Sequence, residues 1–237
     1  KGELLVHYQP IVELGGGAVV AHEALVRWQH PQKGVVAPAE FIQLAEDTGL
    51  IAGIGEWVLR EACRWATFIG VEHGVQVAVK LSTRQFNDPG LIELVRRTLA
   101  ESGLPARLLS LEVSEATVMQ QPDVAASTLN KLKELGVSLA IDDFGTGYTS
   151  LAYLRRFPVD RLKIDRSFVA DVPADKSAAA LVDGVVRLAH ALGMAVIAEG
   201  VETQAQQDFL AATGCDLLQG YLIGRPVDAD HAAEGYV

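Results

Sequence analysis

Eight short β-rich runs, most of them separated by stretches with helical apolar spacing, constrain this chain more than any other feature. The runs fall at residues 4–12, 19–28, 75–81, 108–113, 137–141, 161–164, 195–198 and 215–218. Between them, Phe41-Ile42, Leu44-Ala45 and Thr48 form one helical stripe. Leu91, Leu94-Val95 and Thr98-Leu99 form another, opened by Asp88-Pro89 as cap and first turn. Stripes over Leu129, Leu132 and Leu135 and over Leu181, Val185, Leu188-Ala189 and Leu192 stop at Gly136 and Gly193, and Gly214 closes residues 205–213. Such β–α alternation predicts a parallel sheet with right-handed crossovers. The first two runs break the rhythm. Only residues 13–18, with Gly15-Gly16-Gly17, separate them, which is a hairpin and makes the first strand antiparallel to the second. About eight strands in a chain of 237 residues favour an α/β barrel of the (β/α)8 type over an open sheet.

Composition removes several classes. Apolar residues make up 49% and charged residues 21%, so the chain can bury a core and is not disordered. A net charge of -10 argues against binding a DNA or RNA polymer, which needs a basic footprint. A phosphate-bearing small ligand would then need metal ions or a few placed cations. Cys63 and Cys215 have no CxxC spacing, so neither a disulfide framework nor a zinc knuckle is expected. No apolar run reaches ~18 residues, so no membrane span is expected in this domain. The start, Lys1-Gly2-Glu3-Leu4-Leu5, is not a signal peptide and reads like the middle of a longer, multidomain protein cut at a domain boundary. Residues 1–237 read as one domain.

The chemistry lies where charge interrupts the strands. Glu23 falls within the second run, Glu112 and Glu115 end the fourth, and Asp142 and Asp143 end the fifth. Lys163 and Asp165 end the sixth, Glu199 and Glu202 the seventh, and Gln219 the last. In a barrel the C-terminal strand ends converge on one face, where active sites form. One carboxylate at a strand end is usually a solvated charge or a helix cap, Asp-Asp can be a turn device, and an isolated lysine snorkels. The same pattern over six strands is what makes a site. Like charges ~4 Å apart at an effective dielectric of ~20 repel by ~4 kcal/mol, so the cluster needs protons or divalent cations. Ligands that are all oxygen favour Mg²⁺, Mn²⁺ or Ca²⁺ over zinc. Adjacent Asp142-Asp143 suggests two ions sharing a ligand, as in in-line phosphoryl chemistry. Other chemistries lack their motifs: there is no Gly-x-Ser-x-Gly elbow, P-loop or dinucleotide fingerprint. His7, His22, His30, His73, His190 and His231 show no metal spacing, and Trp28, Trp57 and Trp65 fit apolar faces.

Glu23-Ala24-Leu25-Val26-Arg27-Trp28 resembles the signature of the EAL domain family, which hydrolyses the bacterial second messenger cyclic di-GMP to a linear dinucleotide. The likeness runs nearly the whole chain, through Tyr8-Gln9-Pro10, Leu111-Glu112-Val113-Ser114-Glu115, Asp142-Asp143-Phe144-Gly145-Thr146-Gly147-Tyr148, Leu162-Lys163-Ile164-Asp165, Ala198-Glu199-Gly200-Val201-Glu202, Gln219-Gly220-Tyr221 and Arg225-Pro226. It implies a modified TIM barrel with one antiparallel strand. It implies Mg²⁺ or Mn²⁺ held by Glu23, Glu112 and Asp142, with Asp142 and Asp143 on a second ion. Lys163 would orient the attacking water, and Glu199 would complete the metal and water network and act as general base. Gln219 and Glu202 would support that shell, and Gln219 together with Gln9, Leu25 and Arg27 would touch the ligand. Residues 142–150 resemble a loop that couples dimerisation to the metal site, with Glu115 anchoring it, which implies a homodimer with an interface near this loop and residues 152–156. The resemblance further implies a cytoplasmic setting and a regulatory or GGDEF-type neighbour domain in a parent protein that can be membrane-anchored.

One position departs from the family pattern. A metal-binding asparagine in a stretch like Val-Asn-Leu-Ser is here Lys80, in Val79-Lys80-Leu81-Ser82. Either the lysine swings into solvent, or it lies among the carboxylates as a stand-in cation. In the second case an ion ~4 Å away meets a bare repulsion of ~8 kcal/mol at an effective dielectric of ~20. The ion of Glu23, Glu112 and Asp142 is then expected to bind weakly, leaving a weakened phosphodiesterase or a non-catalytic cyclic di-GMP receptor.

Overall fold

The computed structural model describes residues 2–147, 151–234 and 236. Among them are the strands β1 (Leu4–Glu13), β2 (Val19–His30), β3 (Gly34–Val36), β4 (Gln76–Leu81), β5 (Leu109–Ser114), β6 (Ser138–Phe144), β7 (Arg161–Ile164), β8 (Ala195–Ala198) and β9 (Leu217–Leu218). The α-helices are α1 (Ile42–Thr48), α2 (Ile51–Phe68), α3 (Thr83–Phe86), α4 (Leu91–Ser102), α5 (Glu115–Gln120), α6 (Pro122–Glu134), α7 (Leu151–Leu154), α8 (Arg166–Val169), α9 (Lys176–Ala191), α10 (Gln204–Thr213) and α11 (Ala229–Ala233).

Strands β2, β4, β5, β6, β7, β8 and β9 pair in parallel in that order. Strand β1 closes the ring by pairing antiparallel with both β9 and β2. This is the expected modified TIM barrel with one antiparallel strand. The hairpin that reverses β1 is tied by Glu13 N–H to Ala18 O at 2.9 Å and Gly17 N–H to Glu13 O at 2.9 Å. Several elements were not legible in the sequence, among them β3, α2 and the short helices α3, α5, α8 and α11. Strand β3 is a three-residue antiparallel addition to β2, too short to show alternation. Helix α2, 18 residues long, carries Gly53 and Gly55 in its first turns and has no side-chain cap, so its start is unsigned. The cap expected at Asp88-Pro89 lies elsewhere: Gly90 is the N-cap of α4, and Asp88 Oδ1 accepts from Gly90 N–H at 2.7 Å, an Asx turn just before the helix.

Two apolar layers result. The larger lies between the outer face of the sheet and the helices, with Leu59, Leu109, Leu111, Leu132, Leu139 and Leu162 wholly shielded from solvent. Inside the barrel a small plug of Ile11, Ala21, Ile197 and Leu217 fills the lower part. Because side chains alternate across a strand, the residues above this plug also point inward, and here they are polar. Both cysteines are buried and free, as expected without a disulfide framework. His22 is buried with Nε2 3.2 Å from the Tyr236 hydroxyl and edge-on to Trp65, and burial lowers its pKa to about 4, so it is neutral at pH 7. Among the described residues no helix is long and apolar enough to cross a membrane.

Candidate functional site

Lys163 is the centre of the inner polar layer. It lies on β7, is 0% exposed, and its Nζ sits 2.6 Å from Glu199 Oε1, 2.7 Å from Glu112 Oε2, 3.2 Å from Glu23 Oε2 and 3.6 Å from Asp142 Oδ1. Four carboxylates from β2, β5, β6 and the end of β8 thus meet one ammonium. Burial disfavours its charge, but Asp142, Glu112, Glu199 and Glu23 outweigh that and hold its pKa well above the usual value. Gln219 Nε2 donates to Glu23 Oε2 at 2.6 Å and lies 3.2 Å from Gln9 Oε1, while Gln9 Nε2 donates to Gly224 O at 3.0 Å. Gln219 Oε1 is buried with no protein partner among the described residues, an acceptor left for a ligand, water or cation.

Asp142 and Asp143 depend on a local irregularity. Consecutive residues of a regular strand point to opposite faces, so a straight β6 could offer only one of them to the interior. Instead the pairing with β7 slips between Ile141 and Phe144, and Asp143 adopts a left-handed φ of 55°. Both carboxylates then line the same cavity. The turn continues at Gly145, where φ is +100° and a Cβ would come within 2.7 Å of the Phe168 ring, so a side chain has no room. Glu115, at the start of α5, accepts from Gly145 N–H at 2.7 Å and so holds this loop. Residues 148–150 of the expected dimer-coupling loop lie outside the described residues.

Lys80 turns into the site rather than into bulk solvent. Its Nζ lies 2.8 Å from Asp142 Oδ2 and 2.7 Å from Asp143 Oδ2, although 43% of the side-chain surface remains exposed. Burial alone would raise the Asp142 pKa, but Lys163 and Lys80 outweigh it and bring the pKa down to about 2. Burial raises Glu112 well above the carboxylate range and raises Glu199 to about 7, with Lys163 opposing in both cases. Glu23, Glu112, Asp142, Asp143 and Glu199 outnumber Lys80 and Lys163 five to two, so the cluster needs further positive charge when all seven are ionised. Asp142, Asp143 and Glu199 each offer an oxygen within 4.8 Å of the others, and no His or Cys joins them. This donor set fits a hard divalent cation.

The polar cavity has a volume of about 240 Å³ and takes in Gln9, Glu23, Asp142, Asp143, Glu199 and Gln219, with Lys80 and the exposed Glu202 at its edge. Glu23 and Lys80 also border a second cavity of about 470 Å³, lined by Leu25, Ile42, Ile51, Ile54 and other apolar side chains between β2, α1 and α2. Together the two fall in the size range of small-ligand sites, ~300–1,000 Å³. Arg27, farther along β2, lines neither cavity and donates to Val26 O at 2.9 Å. Asp165 is the helix cap that a lone strand-end carboxylate usually is, accepting from Ser167 N–H at 2.9 Å. Four residues not singled out as ligand contacts also line the polar cavity: Arg166, Gly200, Gly220 and Tyr221. Gly200, Gly220 and Tyr221 lie inside the motifs quoted above, and Arg166 directly follows the one that ends at Asp165. The guanidinium of Arg225 stacks 4.1 Å over the Tyr221 ring.

Comparison with known proteins agrees with this fold. The family model described as EAL domain matches residues 1–226. The chain is 47% identical over 234 residues to the bifunctional diguanylate cyclase/cyclic di-GMP phosphodiesterase MucR of Pseudomonas aeruginosa, covering 97% of this chain and 34% of that protein. It is 46% identical over 227 residues to the cyclic di-GMP phosphodiesterase NbdA of the same organism, covering 95% of this chain and 29% of that protein. The chain therefore spans about a third of the length of these relatives. A solved structure described as the PaMucR phosphodiesterase in complex with c-di-GMP superposes with a TM-score of 0.94 at 46% identity, covering 97% of this chain and 94% of that one.

Proposed function

The chain belongs to the EAL domain family, and from that premise we propose that its barrel mouth binds cyclic di-GMP and hydrolyses one phosphodiester bond, with Mg²⁺ or Mn²⁺, to linear pGpG. The observation that carries this reading is the meeting of Glu23, Glu112, Asp142 and Glu199 around one buried ammonium, beside an apolar cavity that can take a purine. Glu23, Glu112, Asp142, Asp143 and Glu199 are the residues that would hold the cation. When bound, the cation supplies Lewis-acid stabilisation of the charge that builds on the phosphate.

The chain's own residues do the rest. Lys163 orients the attacking water and faces the developing negative charge. Glu199, whose Oε1 already accepts from Lys163, takes the water's proton on Oε2. Water attacks phosphorus in line, the 3′-oxygen leaves and is protonated by solvent, and the product keeps a 5′-phosphate. Gln219 and Gln9 brace Glu23, and Glu202 supports the rim. Leu25 contributes apolar surface to a base, and Arg27 meets a phosphate only after its side chain leaves Val26 O.

Incubation with cyclic di-GMP and Mg²⁺ or Mn²⁺, with products separated by chromatography, is expected to yield pGpG. A different reading, a degenerate domain that binds cyclic di-GMP without cleaving it, draws its support from Lys80 on the Asp142–Asp143 pair. Intact nucleotide after long incubation, with binding retained in calorimetry, would favour that receptor over the enzyme. For the assembly, we propose a single catalytic domain within a longer cytoplasmic or membrane-anchored protein, beside a GGDEF-type neighbour, working as a homodimer. The dimer contact would lie near residues 142–150 and 152–156, next to the exposed Leu151 of α7. Sedimentation is expected to show dimers at high micromolar protein. A strict monomer there, with normal hydrolysis, would count against this interface.

A further inference from the structure

Strand β4 carries a lysine where the family pattern has asparagine, and its placement has a consequence for how many ions the site holds. Lys80 pairs in register with Glu112 and reaches Asp142 Oδ2 at 2.8 Å and Asp143 Oδ2 at 2.7 Å. These are the two carboxylates that the family pattern assigns to a shared second ion. A divalent cation bridging the same two oxygens would have to stand where the ammonium stands. The other oxygen of Asp142 is already engaged, accepting from Asp143 N–H at 2.8 Å and lying 3.6 Å from Lys163 Nζ. An asparagine at position 80 would present a carbonyl oxygen to a cation, whereas a lysine presents only donors and a full positive charge. The ammonium is also tethered, so it does not leave when free Mg²⁺ is low.

We propose that Lys80 replaces one of the two divalent cations, so that the domain binds a single ion and the Asp142–Asp143 pair does not share a second one. This rests on the metal-dependent reading above and deepens it. It redirects the expectation from sequence, because the lysine lies on the Asp142–Asp143 pair and not between Glu23 and Glu112. The Asp pair keeps its counter-charge at any metal concentration, and a phosphate on that side meets N–H donors instead of an ion.

The test is a count of bound Mn²⁺ by equilibrium dialysis and electron paramagnetic resonance on the purified wild-type domain and on Lys80→Asn and Lys80→Met. The wild type is expected to bind about one ion per chain, with the spectrum of an isolated Mn²⁺. Lys80→Asn is expected to bind about two, with a spin-coupled signal. Lys80→Met removes the charge without adding a ligand, and should recover the second ion at lower affinity than Lys80→Asn. Two ions in the wild type would overturn the proposal and, with normal hydrolysis, leave the phosphodiesterase reading standing. A count that stays at one in both variants would also overturn it. No bound Mn²⁺ in any of the three, together with no hydrolysis, would bring down the metal-dependent reading and this inference with it.

Discussion

Replacing Glu23 by alanine should cut cyclic di-GMP hydrolysis at least ~10³-fold while leaving the barrel folded. Glu23 Oε2 accepts from Gln219 at 2.6 Å and from Lys163 at 3.2 Å, and the residue is buried at the C-terminal face of the barrel. The rate loss has two sources: one oxygen ligand for the cation is gone, and Gln219 and Lys163 lose the partner that fixes their position. The fold should tolerate the change because the cluster has more carboxylates than ammoniums, so removing one relieves repulsion. A small cavity beside Ala78, which pairs in register with Glu23, is the structural cost. Circular dichroism, thermal unfolding and product chromatography on the same preparation check this. Full activity in Glu23→Ala would refute the assignment of the site.

The second large effect is expected from Lys163→Met. Methionine is close in length and volume, so packing survives, but Glu23, Glu112, Asp142 and Glu199 lose the charge they share. Removing one partner of a buried ion pair typically costs ~3–5 kcal/mol, because the other charge stays buried and uncompensated. For a domain of this size each kcal/mol shifts the melting temperature by roughly 2–4 °C, so a drop of ~6–20 °C is expected in metal-free buffer at pH 7. The loss should shrink on acidification. Carboxylates whose folded pKa is raised stay protonated inside but ionise in the unfolded chain above its carboxylate pKa, so stability falls as pH rises from there toward the folded values. Added Mn²⁺ should restore part of the melting temperature, since a cation supplies the missing charge. Hydrolysis should be lost in either case, because nothing then orients the water. An unchanged melting temperature at pH 7 without metal would mean that the ammonium does not balance these carboxylates.

The barrel was legible because its signals are local. Alternating β and α periods, glycines closing the helices, and a Gly-rich turn too short for a crossover each depend on neighbours a few residues apart, and together they specified an eight-stranded ring with β1 reversed. The placement of Glu23 within the second strand, and of Glu112, Asp142, Lys163, Glu199 and Gln219 at or near the ends of theirs, was legible for the same reason. Which of them touch was not. Lys163 and Glu23 are 140 residues apart, and their 3.2 Å contact depends on the register of every strand between β2 and β7. Asp165 and Glu199 look alike as strand-end acids, yet the first caps a helix and the second meets Lys163, because the next turn of chain sends each carboxylate a different way. That Asp142 and Asp143 share one side depends on a slipped pairing and a left-handed residue, which the Asp-Asp dipeptide permits but does not require. The direction of Lys80 was the most open point. A lysine stem reaches solvent or the site with equal ease, and the decision fell to the unbalanced negative charge that the closed barrel had already gathered beside it.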